Sequence, residues 1–156
     1  MSVSGGQTGA DVAGLDWSIG AGIAHGGWCS KSRKTDDSLT DSRYALTETP
    51  GKGYLQRTEW NVRDSDATVI FTVDARLDGG SKRTADFVDL HGRPWLHMRP
   101  GVDPKYLAAF VDRHRVKVLN VAGKRPSSAP GSLSSCRTRW KPRCAELLKA
   151  IGGLPA

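Results

Sequence analysis

Two short apolar runs constrain this chain more than anything else in it. Thr68 to Val73 (TVIFTV) and Val116 to Ala122 (VKVLNVA) are rich in β-branched residues and almost continuously hydrophobic. A strand with one wet face alternates apolar and polar side chains. A run that barely alternates suits a central parallel strand covered on both faces. Met1 to Ser4, Ile23 to Trp28 (interrupted by Gly26-Gly27) and Trp95 to Met98 read as shorter strands. Helical patterns lie between them. One runs from about Ala10 to Ala21, with Val12, Ala13, Leu15, Trp17 and Ile19 as its apolar stripe and Gly22 ending it. Others run from Tyr54 to Asp66, Ser81 to His91, Pro104 to His114 and Leu133 to Ile151, the last interrupted by Pro142. Strands separated by helices require right-handed crossovers, so the fold class is α/β: a three-layer sandwich with a mainly parallel sheet of about five strands.

The chain has 156 residues, the size of one domain (1–156), and shows no internal repeat. No apolar run approaches the roughly 20 residues of a membrane-spanning helix, and the start MSVSGGQTGA has no signal-peptide character. A cytoplasmic protein with no membrane partner is expected. Cys29, Cys136 and Cys144 form no even disulfide set and no zinc spacing, which fits reduced thiols. His25 and Cys29 would share one strand face, but two ligands do not make a zinc site, so no metal is expected. The net charge of +7 is uneven. From Arg113 onward ten basic residues face one acidic residue, Glu146, giving +9 and leaving −2 for the rest. Such a block attracts polyanions. Without a recognised nucleic-acid motif, and with Trp140 its one aromatic residue, it reads as a solvated face rather than a nucleic-acid site.

In doubly wound sheets, ligands bind beyond the carboxyl ends of the strands. After the first strand comes Ser4-Gly5-Gly6-Gln7-Thr8-Gly9 and then a helix. Glycines permit close backbone approach, and free N–H groups at a helix start attract an anion. The pattern is neither GxGxxG nor GxxxxGK[ST], which excludes both standard nucleotide loops. Asp11, in the first helical turn, complements the helix dipole. After TVIFTV the same form recurs as Asp78-Gly79-Gly80-Ser81, with Thr84 one turn on. Two such units in one sheet predict one anionic guest held between two helix N-termini, and a Cβ at Gly80 is expected to block its approach. After the last strand, Asn120 is placed to read a heterocycle edge, with Lys124 adding charge; Trp28 follows the second strand. Residues 30–53 are polar and read as a long loop of the functional kind.

The helix YLQRTEWNVRDSDAT is nearly polar all round. Arg57, Asn61 and Asp64 form a stripe at i, i+4 and i+7, with Leu55 and Val62 on another face. One reading is a solvated helix with internal ion pairs. The other sets Arg57 and Asn61 over the ligand rim, with Glu59 and Asp64 orienting them. The same polarity hints at burial against a sister subunit, hence a homo-oligomer.

SGGQTGAD (4–11), HGGWC (25–29), LTETP (46–50), QRTEWNVRDSDAT (56–68), GGSKRT (79–84), HGRPWLH (91–97) and LNVAGKR (119–125) occur in this order along nearly the whole chain. Together they resemble the molybdenum cofactor carrier proteins of the circularly permuted, YpsA-like branch of the SLOG superfamily, relatives of the LOG (lysine decarboxylase-like) proteins. The resemblance implies a Rossmann-like fold and a phosphate-bearing ligand. Its namesake ligand is molybdenum cofactor, molybdopterin with an oxomolybdenum head. LOG relatives carry PGGxGTxxE, whose Glu serves phosphoribohydrolysis. The matching stretch here, DGGSKRTADF, has no Glu at that place, which argues against hydrolysis.

The first functional expectation is therefore a carrier that stores and protects molybdenum cofactor without turnover, with no catalytic residues and a molybdoenzyme as recipient. The expected binding residues are Gly5, Gly6, Gln7, Thr8, Gly9, Trp28, Arg57, Asn61, Gly79, Gly80, Ser81, Thr84, Asn120 and Lys124. The alternative is a sensor of a nucleotide-derived ligand, or a nucleoside-phosphate-processing enzyme with Glu59 or Asp64 as base.

Overall fold

A computed structural model describes residues 1–35, 39–51, 53–123 and 148–149. Its main sheet has five strands, all parallel: β1 (Ser2–Val3), β2 (His25–Gly26), β5 (Ala67–Phe71), β6 (Trp95–Met98) and β7 (Leu119–Gly123). Their order is β2-β1-β7-β5-β6. This is the doubly wound 3-2-1-4-5 order with its first strand supplied last by the chain. The fold is Rossmann-like α/β, and β7 sits at the centre of it.

Four helices are present among the described residues: α1 (Ala10–Gly20), α2 (Tyr54–Arg63), α3 (Gly79–Leu90) and α4 (Lys105–Arg113). Side-chain alternation explains how they are sorted. Ala67, Val69, Phe71, Leu119 and Val121 point to one face, where they form a core with Ala10, Ala13 and Trp17 of α1 and Leu107 and Val111 of α4. Thr68, Ile70 and Asn120 alternate to the other face, toward which α3 packs, with α2 beside it. That is why TVIFTV carries so little polar relief: every residue of β5 is buried. Leu148 joins the first core, and it and the exposed Lys149 are the described part of the expected helix 133–151. The rest of that helix, Lys124, Cys136, Cys144 and most of the basic segment lie outside the described residues.

The expected strand 23–28 is divided. Gly27, at φ +128°, turns the chain out of the main sheet after β2, and only glycine fits there, because a Cβ would collide with the backbone of Ser4. The next residues form β3 (Trp28–Cys29), which pairs in parallel with β4 (Thr47–Glu48) in a separate two-stranded sheet. Residues 30–53 are accordingly no simple loop. A single 3-10 turn (Lys31–Arg33) opens the segment. The Arg33 guanidinium then donates to the carbonyls of Thr40, Asp41, Tyr44 and Leu46 at 2.7–3.3 Å, replacing a ladder with one side chain.

In α1, Leu15 and Trp17 are buried as expected, while Ile19 is exposed. Gly14 lets α1 close on β7, since a Cβ there would sit 2.8 Å from Val121. Gly20, by contrast, faces open space. Gly14→Leu should therefore destabilise the protein by about 1–3 kcal/mol through overpacking. Gly20→Ala should stabilise it by roughly 0.4–1 kcal/mol. Urea unfolding of the two variants checks both signs.

Candidate functional site

The site lies where the strand order reverses. The chain leaves β1 toward β2 and leaves β5 toward β6, so the turns after β1 and β5 diverge around the end of β7 and leave a cleft. Gly5, Gln7 and Asp11 line it from the first turn, Gly80 and Thr84 from α3, Tyr54, Arg57, Thr58 and Asn61 from α2, and Asn120 to Gly123 from β7. Gly5 and Gly80 thus face one shared space.

At the floor is an ion pair. Arg57 is 4% exposed, and its Nη1 lies 3.4 Å from Asp11 Oδ2, which also accepts the Gln7 N–H at 3.3 Å. Asp11 does more than complement the dipole: it anchors Arg57. The guanidinium fills the space beside Gly5 that a Cβ would occupy. It also stacks on Tyr54, 4.6 Å from the ring centre. Two polar atoms at the cleft have no hydrogen-bond partner among the described residues, Arg57 Nε and Gln7 Oε1, both buried. Leaving such groups unmatched costs about 1–3 kcal/mol each. Helices α1 and α3 both begin at the cleft, and the first N–H groups of a helix lack partners within it. Their dipoles add positive potential that the neutralised Arg57–Asp11 pair does not.

The other expected residues divide. Asn61 is buried and lines the cleft, but its amide spans the backbone of Trp28: Oδ1 accepts the Trp28 N–H at 2.8 Å and Nδ2 donates to its carbonyl at 2.9 Å. Trp28 itself lies away from the cleft, its indole donating to Asp64 at 2.8 Å and meeting Trp60 edge-on. Asn120 donates to Thr68 Oγ1 at 3.2 Å and forms part of the floor. Thr84 faces the cleft with its hydroxyl bonded back to the Gly80 carbonyl, 3.0 Å away. The Ser81 hydroxyl is spent on the start of α3, where it and Asp78 form a capping box. Gly6, at φ +68°, is packed behind the turn against Leu46 and Thr40, whose hydroxyl donates to the Gly6 carbonyl at 3.0 Å. Thr8 is half-buried and Gly9, at φ +92°, begins α1; neither lines the cleft. Gly79 holds φ +46° at the start of α3, outside the lining.

Three expectations change. Of the two readings of α2 the solvated one fails: Arg57, Thr58, Asn61 and Val62 are its buried face, while Asp64, the third residue of the stripe, and Leu55 are exposed. Glu59 and Asp64 do not orient Arg57. Glu59 meets His91 at 3.3 Å, and Asp64 is held by Arg63 and Trp28, whose hydrogen bonds lower its pKa. Gly80 is the less restrictive glycine, because a Cβ there would meet chiefly the Tyr54 hydroxyl, the far end of a side chain, at 2.6 Å, whereas Gly5 faces a buried guanidinium. Sequence reasoning missed Tyr54 and Thr58; Tyr54 lies one turn before Arg57, a spacing that helical periodicity makes adjacent.

Away from the cleft, Cys29 is buried and its thiol pKa is raised by that burial, and His25 accepts the Ala45 N–H at 3.3 Å. Among the described residues no three His, Cys, Asp or Glu side chains gather to hold a metal, and no helix is long and apolar enough to cross a membrane.

Removing one partner of a buried ion pair strands the other. Arg57→Ala and Asp11→Ala should each cost about 3–5 kcal/mol, and the double variant less than their sum. A double-mutant cycle from chemical denaturation measures this, and additivity would show that the two charges are independent.

The profile of the Circularly permutated YpsA SLOG family matches residues 2–140. The fold is similar to a crystal structure of a protein named putative molybdenum carrier protein from Syntrophus aciditrophicus SB, with 34% sequence identity and a TM-score of 0.84. The similarity covers 96% of this chain and 92% of that one. A comparison with curated proteins finds no match. With the family's pattern matched over residues 2–140 and the same fold in a protein this similar, the chain belongs to the Circularly permutated YpsA SLOG family.

Proposed function

We propose that this protein binds molybdenum cofactor in the cleft at the end of β7 and carries it without chemical turnover. The observation that carries the reading is Arg57: a buried guanidinium with an unmatched Nε–H, set beside Gly5 and between the starts of α1 and α3. A phosphate accepts hydrogen bonds from a guanidinium and favours the positive end of a helix dipole, so it answers the unmatched Nε–H and the starts of α1 and α3 together. Gly80 would admit the anion, Arg57, seated against Gly5, would hold it, and Gln7 Oε1 would accept an N–H from the pterin. The similar protein named as a molybdenum carrier supports the identity of the cargo. The bound cofactor brings its own redox chemistry; the protein's part is to hold it and exclude oxygen until a molybdoenzyme takes it.

The nucleoside-phosphate enzyme is the weaker reading. Neither Glu59 nor Asp64 lines the cleft, and the carboxylate that does, Asp11, is engaged by Arg57 and the Gln7 N–H. The homo-oligomer loses the argument that raised it, because the polar face of α2 is buried within one chain.

Protein purified without oxygen should yield a fluorescent pterin on oxidation and should release no free base from nucleoside monophosphates. Arg57→Lys keeps a positive charge opposite Asp11 but removes the fork. It should raise the Kd for molybdopterin at least about tenfold, a loss of roughly 1.4 kcal/mol, and lower thermal stability less than Arg57→Ala does. Equal affinity in a folded Arg57→Lys protein would remove Arg57 from the site.

A further inference from the structure

Beside the inner cleft lies a second, larger chamber, and the two share Gln7 and Tyr54 as a common wall. The inner cleft has a free volume of about 30 Å³, room for little more than a water molecule. The outer chamber has about 590 Å³, in the range of pockets that hold cofactor-sized molecules. Its remaining wall is Ser30, Lys31, Ser32, Lys34 and Thr35.

We propose that the outer chamber holds the body of the bound molecule, with a second negative group on Lys31 and Lys34. This rests on the reading that the inner cleft takes its phosphate. The volumes set the division: a small anionic end can enter the inner cleft once the Tyr54 side chain shifts, but a fused ring cannot. Gln7 stands at the boundary, 5% exposed, with Oε1 unmatched by any described residue. An acceptor there selects a heterocycle that presents an N–H as it passes from one compartment to the other.

The two lysines belong to a built wall rather than a loose surface. Arg33, between them, is tied to four carbonyls, and the Ser32 N–H donates to Glu48 at 2.6 Å. Both ammonium groups are exposed, and neither is in an ion pair among the described residues. A neutral tail would gain nothing from them. The ligand class is therefore a planar, N–H-bearing heterocycle with negative groups at two separated points, which molybdopterin satisfies through its phosphate and its dithiolene.

The test uses the full chain without oxygen, with molybdopterin and inorganic phosphate as probes. Both should bind the wild type. Lys31→Ala/Lys34→Ala should raise the Kd for molybdopterin at least tenfold and leave that for phosphate within twofold. Lysine acetylation read by mass spectrometry should fall at least fivefold at Lys31 and Lys34 with molybdopterin bound, but not with phosphate. Lys82, on exposed α3 surface, should react equally throughout. Molybdopterin bound with unchanged acetylation and an unaffected double variant would overturn the outer chamber and leave the carrier reading standing. No binding of molybdopterin by the wild type would overturn both.

Discussion

The buried contact between Arg57 and Asp11 organises this molecule around its cleft. A guanidinium out of water needs a counter-charge and hydrogen-bond acceptors, and one carboxylate at 3.4 Å supplies only part of both. Several features of the fold follow from housing it. The turn after β1 carries glycine at position 5 because the guanidinium occupies the place of a side chain there. The first turn of α1 carries an acid because the charge lies against that helix start. Helix α2 turns a polar face inward because its most demanding residue points that way.

The pair also joins parts of the chain that the sheet alone does not hold together. Asp11 sits at the start of α1 and Arg57 on α2, 46 positions later. Asn61, one turn beyond Arg57, clamps the Trp28 backbone and so fastens the small β3–β4 sheet to the same helix. The segment carrying Lys31 and Lys34 is thereby tied to the helix that carries the floor of the inner cleft. A polar network of this sort is costly unless it is fully matched, and here Arg57 Nε and Gln7 Oε1 remain unmatched by the described residues. Ser2 and Ser4 Oγ are unmatched among the described residues as well, so it is the place of Arg57 and Gln7 on the cleft wall that fits a site prepared for a polar guest.

Much of the fold was legible in the residues. TVIFTV suited a covered strand, and β5 is buried throughout, although Val73 at the end of the run lies beyond the strand and is exposed. The first four expected helices begin and end within a few residues of α1 to α4, because Gly and Pro punctuate them. Two glycine turns of the same form after separate strands indicated one rim, and they meet there because both strands flank β7. The break within 23–28 was marked by Gly26-Gly27, but that the chain there leaves for a second sheet was not, since the backbone of Ser4 that crowds Gly27 is remote in sequence. The burial of Arg57 was also hidden. Periodicity shows that a stripe is polar but not whether it faces water or a carboxylate.

The chain's residue pattern determined the layers, the parallel sheet and the two turns that open toward a ligand, because hydrophobic period and glycine chemistry are local properties. Tertiary structure decided which of those residues share the cleft. It brought Tyr54 and Asp11 in, set Gly6, Ser81 and Trp28 to holding the walls, and put Gly5 ahead of Gly80 as the position that tolerates no side chain. The reason is physical: a buried charge takes its partner from whatever element folding brings within about 4 Å, and no local pattern encodes that neighbour.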